Sequence, residues 1–232
     1  MTVIKQKHLS MYPLKCILLL CCGLCLPLLS FAQKNWELKK NEDGIKVFWR
    51  ASADSDVKEL KIKTEIEASL NTVVAVMSDT ESYTDWVYAV TEARTLREIA
   101  RHESVYYNVI DFPWPMDDRD IILHTRTTQD PVTKVVVSRS SAAPSEMPED
   151  DSMVRVRHAE ITWIITPLSP GRVSVDYRLI TDPGGSIPAF LINIASDYGP
   201  FKTMQAFKER VKLPQYRAAN VEGIENMQLA DN

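Results

Sequence analysis

One long apolar helical face between 182 and 213, preceded by about ninety residues of strand-like pattern, limits the possible folds more than any other feature of the sequence. The stretch opens Asp-Pro-Gly-Gly-Ser-Ile-Pro, where a Pro-Gly-Gly turn ends the strand pattern, Ser186 can cap a helix and Pro188 suits its first turn. Apolar residues then recur at Ile187, Phe190, Leu191, Ile194, Tyr198, Phe201, Met204, Phe207 and Val211, the spacing of one helix face. Gly199-Pro200 interrupts the run, because proline inside a helix removes a backbone donor and crowds the preceding turn. A kinked helix, or two in succession, is predicted.

Upstream, the period is two. Residues 44–50 alternate weakly and 60–66 cleanly, with Leu60, Ile62, Thr64 and Ile66 set against Lys61, Lys63 and Glu65. The polar stretch 35–43, around Trp36 and Leu38, is either a short helix or an opening strand. Leu70, Val73, Val74 and Met77 then follow helical spacing behind a Ser69 cap, and Tyr83, Trp86, Val87 and Val90 predict a second short helix. Six further strands are predicted at 93–99, 105–110, 120–128, 132–138, 154–166 and 172–181, with an acidic, proline-containing loop at 142–152. The polar segment after Pro214, residues 215–232, is predicted to fray. Hairpin-linked strands imply an α+β fold with an antiparallel sheet of about eight to nine strands, twisted enough to curl. A final helix across the concave side can enclose a cavity.

The first 32 residues stand apart from this pattern. Lys5, Lys7 and Lys15 precede an apolar run at 16–29, and Ser30-Phe31-Ala32 has small residues where a signal peptidase cuts. Cleavage near Ala32, giving a secreted or periplasmic domain over 33–214, is therefore expected. All four cysteines (Cys16, Cys21, Cys22, Cys25) lie in that segment, which excludes disulfides, a cysteine nucleophile and a thiolate metal site from the mature chain. Losing three of the 27 basic residues leaves 24 against 31 acidic ones, a net charge near −7. With no basic block, nucleic acid is not an expected partner.

Several short motifs, in order, resemble the START (StAR-related lipid-transfer) domain family: Asp43-Gly44-Ile45-Lys46-Val47; Asp79 with Tyr83, Asp85 and Trp86; and Val105-Tyr106-Tyr107-Asn108-Val109. Phe112-Pro113-Trp114-Pro115-Met116-Asp117-Asp118-Arg119-Asp120 and Asp182-Pro183-Gly184-Gly185-Ser186-Ile187-Pro188 complete the set and look most like the phosphatidylcholine-transfer branch. The resemblance implies a helix-grip fold that binds, and transfers without catalysis, one lipid or other hydrophobic molecule in a tunnel. It implies no cofactor and no metal, transient contact with a membrane surface, and a monomer. Site residues then follow as expectations: Phe190, Leu191, Ile194, Met204 and Phe207 from the helix, and Ile121, Leu123, Trp163 and Tyr177 from the strands. Where some relatives carry an acid and an arginine in the cavity, the matching positions are Asn108 and Thr125, with Tyr107 the alternative to Asn108 should the register differ. Sterol, phospholipid, isoprenoid and free fatty acid all stay open as ligands.

Two features admit a second reading. Arg119-Asp120 reads as an ion pair fixing the Pro-Trp-Pro turn rather than as a ligand clamp, and Trp114 with Met116 either packs or faces a membrane at the tunnel rim. The rival function is an enzyme of cyclase or dehydratase type in the same cavity, which needs a buried acid or base. Of the mature chain's histidines, His102 falls in a polar turn, His124 faces away from Leu123 and Thr125, and His158 is the best catalytic candidate, though cross-strand pairing with an acid accounts for it more simply. No Gly-x-Ser-x-Gly, metal-spaced histidine pair or phosphate-binding glycine loop occurs.

Overall fold

A computed structural model of the chain describes residues 35–51, 58–185, 187 and 198–228. Ten strands form one sheet: β1 (Glu37–Glu42), β2 (Ile45–Ala51), β3 (Lys58–Ile66), β4 (Val90–Ala100), β5 (Glu103–Ile110), β6 (Arg119–Gln129), β7 (Val136–Ala142), β8 (Val154–Arg155), β9 (His158–Ser169) and β10 (Arg172–Asp182). The lateral order is β1-β2-β3-β10-β9-β7-β6-β5-β4, and the two-residue β8 lies parallel to β6. Every other pairing is antiparallel, and β1 and β4 do not meet, so the sheet curls without closing.

Between β3 and the far-edge strand β4 the chain forms α1 (Leu70–Ser78) and a 3₁₀ helix (Thr80–Asp85). Ser69 caps α1 as its sequence predicts, its hydroxyl accepting from the Thr72 amide at 3.1 Å. The C-terminal helix α2 (Gly199–Arg210) has Pro200 in its first turn, where the missing amide costs nothing. Its apolar stripe (Phe201, Met204, Phe207, then Val211) is buried against the concave side, with Ile45, Val47, Ile62, Val73, Val74 and Val175. Phe207 is fully buried, its ring 5.2 Å from both Trp86 and Trp163. No helix among the described residues is long and apolar enough to cross a membrane.

Three sequence expectations need correction. The predicted strand at 132–138 begins at Val136 and runs to Ala142, because Asp130 ties the preceding turn. Its carboxylate accepts from the amides of Val132 and Thr133, at 3.0 and 2.7 Å, and Val132 is 86% exposed. The predicted strand at 154–166 divides into β8 and β9, with Arg157 between them. Residues 215–228, the described part of the segment after Pro214, do not fray. A short helix α3 (Pro214–Arg217) buries Tyr216, and Ile224 is buried with it in the main core. Asn71, on α1, exhausts its polar groups on this segment. Its backbone amide donates to Asn226 Oδ1, its Nδ2 donates to the Ile224 carbonyl, and its Oδ1 accepts from the Val221 amide. Composition predicted fraying; complementary backbone pairing overrides it.

Candidate functional site

Opposite residues of antiparallel neighbours share a face, so the register shows what the concave side presents. One row runs Val47, Ile62, Tyr177, Trp163, Ser138 and Thr127 across β2, β3, β10, β9, β7 and β6. The next runs Trp49, Leu60, Leu179, Ile161, Ser140 and Thr125, continuing to Ser104 and Glu98 on β5 and β4. Both rows change from aliphatic and aromatic residues to serine and threonine at β7. The helix α2 covers the apolar half. Over the hydroxyl half lies a cavity of about 200 Å³.

Thr125, Thr127, Ser138 and Ser140 form the floor of this cavity, with Tyr106 and Trp163 beside them. Thr127 donates to Ser138 at 2.8 Å, Ser140 donates to Thr125 at 2.8 Å, and the Thr125 and Ser138 hydroxyls are 3.4 Å apart. Met77, Thr80, Tyr83 and Trp86, from α1 and the 3₁₀ helix, make the roof. Tyr83 stands edge-on to both Trp86 and Tyr106, with centroids 5.2 and 5.8 Å apart, which joins roof to floor. Burial raises the Tyr106 phenol to about 12 and pushes those of Tyr83 and Tyr177 up as well, so all three stay neutral hydrogen-bond donors at physiological pH. Glu98 and His102 stand at the mouth, and the chain passes it at Glu103, whose carboxylate turns outward.

Of the residues the sequence singled out, Thr125 and Trp163 line the cavity, while Tyr177 and Phe207 pack behind Trp163. Leu123 sits opposite Tyr106 on the same face, and Ile121 with Asn108 lies one step farther along it. The carbonyl oxygen of Asn108, a residue 7% exposed, has no hydrogen-bond partner among the described residues. Met204 is buried in the core under α2. Phe190, Leu191 and Ile194 lie outside the described residues. Tyr107 is corrected: it faces the convex side with Val105, Val109 and Ile122, because its register partner is Ile122, not Ile121.

The Arg119-Asp120 pair is corrected too. Consecutive strand residues point to opposite faces, so the two side chains cannot pair. Asp120 binds Arg155 on the convex side at 2.9 and 2.7 Å, while Arg155 also donates to the carbonyls of Pro144, Met147 and Pro148. Arg119 lies over the Phe112 ring and donates to the carbonyls of Asp117, Pro183 and Gly184. It thereby ties the Pro-Trp-Pro loop to the Pro-Gly-Gly turn that follows β10. Gly184 and Gly185 have φ of +69° and +67°, a conformation that glycine adopts without strain.

His158 is exposed and paired in register with Asp182, and His124 faces outward with Nε2 2.8 Å from Glu103. The histidine that does reach the cavity is His102, whose Nε2 hydrogen-bonds the Glu222 carbonyl at 2.8 Å. Sequence reasoning missed His102, Tyr106, Thr127, Ser138 and Ser140. Parity with Thr125 and Asn108 carried the signal for Tyr106 and Thr127; the displaced start of β7 concealed the two serines.

A curled, unclosed antiparallel sheet gripping a C-terminal helix, with a hollow left between sheet and helices, defines the helix-grip class. The chain belongs to the START domain family, which it matches over residues 28–217. An uncharacterized protein of Pseudomonas aeruginosa is 31% identical over 175 residues, 75% of this chain and 86% of that one. The phosphatidylcholine transfer protein of Bos taurus is 26% identical over 188 residues, covering 77% and 84%. Among solved structures, the STAR-related lipid transfer protein of Xanthomonas axonopodis superposes with a TM-score of 0.70 at 28% identity, over 77% of this chain and 99% of that one.

Proposed function

We propose that the protein binds one hydrophobic molecule between the concave face and the C-terminal helical segment and carries it between membranes without chemical change. The observation that carries this reading is the hollow over β5–β7, roofed by α1 and the 3₁₀ helix, in a chain of the START family. At about 200 Å³ it holds one end of a lipid, being smaller than the roughly 300–1,000 Å³ that whole drug-sized ligands occupy. Loading then requires the helical grip to give way along Trp163 and Phe207. Each Å² of acyl or ring surface taken from water contributes about 25 cal/mol, so release into water is slow and exchange belongs at a membrane.

The test is transfer of a fluorescent lipid between donor and acceptor vesicles by the purified mature chain. Protein-dependent transfer without chemical change of the probe supports the reading. Neither capture nor transfer of any lipid, or turnover of the probe, overturns it.

The membrane contact in this reading centres on Trp114, 91% exposed on the loop that Arg119 ties to the Pro-Gly-Gly turn. An indole so placed suits the bilayer interface. Trp114→Ala is expected to weaken vesicle binding about ten-fold, the equivalent of about 1.4 kcal/mol, without lowering the melting temperature. Co-sedimentation with vesicles measures it, and unchanged binding removes this loop from the contact.

The mature chain is further proposed to act outside the cytoplasm, on the strength of Lys5, Lys7, Lys15 and the apolar run ahead of Ala32. Intact-mass measurement of the exported protein tests this by showing whether residues 1–32 are gone.

A further inference from the structure

The kind of lipid follows from which charges the cavity lacks. Three cations are buried among the described residues, and none faces the cavity. Lys61 lies on the convex side over the rings of Trp36 and Phe48, Arg155 is held there by Asp120, and Arg119 is committed to three backbone carbonyls. His102, at the mouth, has Nε2 engaged by the Glu222 carbonyl. Residues 186–197, Ser-Ile-Pro-Ala-Phe-Leu-Ile-Asn-Ile-Ala-Ser-Asp, contain no lysine or arginine either. The carboxylate at the mouth is that of Glu98, since Glu103 turns outward to His124 and Arg126. A phosphate brought here loses its water, gains no cation and meets a like charge. Burying an unpaired anion costs far more than the neutral hydrogen bonds of this floor return.

The floor offers something different. Thr127 spends its hydroxyl hydrogen on Ser138, and Ser140 spends its own on Thr125. Thr125 and Ser138 face each other at 3.4 Å, and only one of the two can donate to the other. One hydroxyl hydrogen is therefore left over, together with unused lone pairs on the same oxygens. The group that satisfies both is itself a hydroxyl, accepting the spare hydrogen and donating to a lone pair.

Building on the lipid-carrier reading, we propose that the polar end of the ligand is an uncharged hydroxyl seated on Thr125, Ser138 and Ser140. The cargo is then a neutral, hydroxyl-bearing lipid of the sterol or diacylglycerol kind rather than a phospholipid or a fatty acid. The neutral phenol of Tyr106 fits such a setting, since it too offers a hydrogen bond without charge.

The experiment incubates the mature chain with vesicles containing equal amounts of cholesterol, dioleoylglycerol, the O-methyl ether of each, phosphatidylcholine, phosphatidic acid and oleic acid, then identifies the captured lipid by native mass spectrometry. One neutral alcohol per chain is expected, preferred over its methyl ether by about three- to ten-fold, the worth of one neutral hydrogen bond. Whether cholesterol or dioleoylglycerol dominates separates the two sources of the hydroxyl. Thr125→Val and Ser138→Ala should each bring the alcohol-to-ether ratio close to one while the melting curve stays put. Should Ser138→Ala fail to fold, the isosteric Thr125→Val carries the same ratio test. Capture of a phospholipid or oleic acid in preference, or equal capture of alcohol and ether, overturns this inference and leaves lipid binding intact. Failure to capture any lipid removes the carrier reading beneath it.

Discussion

A chain stopped after Pro214 is expected to lose most of its stability, although the residues removed look like a dispensable polar tail. Two large side chains, Tyr216 and Ile224, leave the main core with them, each worth about 1.5–3 kcal/mol of burial. Asn71 stays buried with three polar groups and no partner for any of them, at a cost of about 1–3 kcal/mol more. Gln129, which exchanges hydrogen bonds with the Glu225 backbone, and Lys134, paired with the Glu225 carboxylate, lose their partners as well. Together this is about 4–9 kcal/mol, against a total stability of about 5–15 kcal/mol for a domain. At about 2–4 °C per kcal/mol for this size, the melting temperature should fall by roughly 10–30 °C, or the truncated chain should not fold. The effect has a direction in space. The removed segment joins α1 to the β4–β5 turn through Arg101 and His102, next to the cavity mouth. Hydrogen exchange in the 101–104 and 129–134 turns should accelerate first on milder substitution, for example Asn71→Ala. A truncated protein that melts within a few degrees of the full mature chain would refute the assignment of this segment to the core.

Why the tail was misread bears on how much of the fold the sequence carried. Strands and the final helix declare themselves by period: Leu60 to Ile66 alternates because one face is buried, and Phe201, Met204 and Phe207 recur because one stripe is. The tail has no period, being held by backbone groups meeting the Asn71 amide, and such pairing leaves no trace in composition. The same limit explains β1, where Glu37–Glu42 is a strand through pairing with β2 although five of its six residues are exposed. It also explains β7, whose start depends on the Asp130 carboxylate closing a turn on Thr133.

The site was half legible for a related reason. Parity along β5 and β6 follows from the sequence, yet which parity is concave depends on register with the neighbours, and a single step exchanges Tyr107 for Asn108. Aromatic and aliphatic residues drew attention as ligand contacts, yet Met204 and Phe207 are packed core, and the cavity floor is serine and threonine. On sequence alone those hydroxyls looked like ordinary strand residues. Only the two rows together, Val47 to Thr127 and Trp49 to Glu98, show them gathered on one half of the concave side.

The second large effect concerns the convex side, where a buried ion pair holds a loop. Arg155→Met should destabilise the protein by about 3–5 kcal/mol, because it leaves the Asp120 carboxylate in the interior without its counter-charge. It also deprives the carbonyls of Pro144, Met147 and Pro148 of their donor, and these carbonyls anchor the segment that covers Val105, Tyr107 and Ile122. Asp120→Asn should cost less than Arg155→Met, since the guanidinium keeps three carbonyl partners when the carboxylate charge is gone. The pair Asp120→Leu with Arg155→Met should recover part of the loss, as apolar replacement of a buried pair often does, but not all of it while three carbonyls stay unpaired. Denaturant unfolding of the three variants gives this order directly, and an Asp120→Asn loss larger than that of Arg155→Met would overturn it. Lipid capture per folded molecule should be unchanged throughout, because both side chains lie on the face away from the cavity. A folded Asp120→Asn protein that no longer captures lipid would instead make this pair part of the binding machinery, reached through the strand β6 that it shares with Thr125.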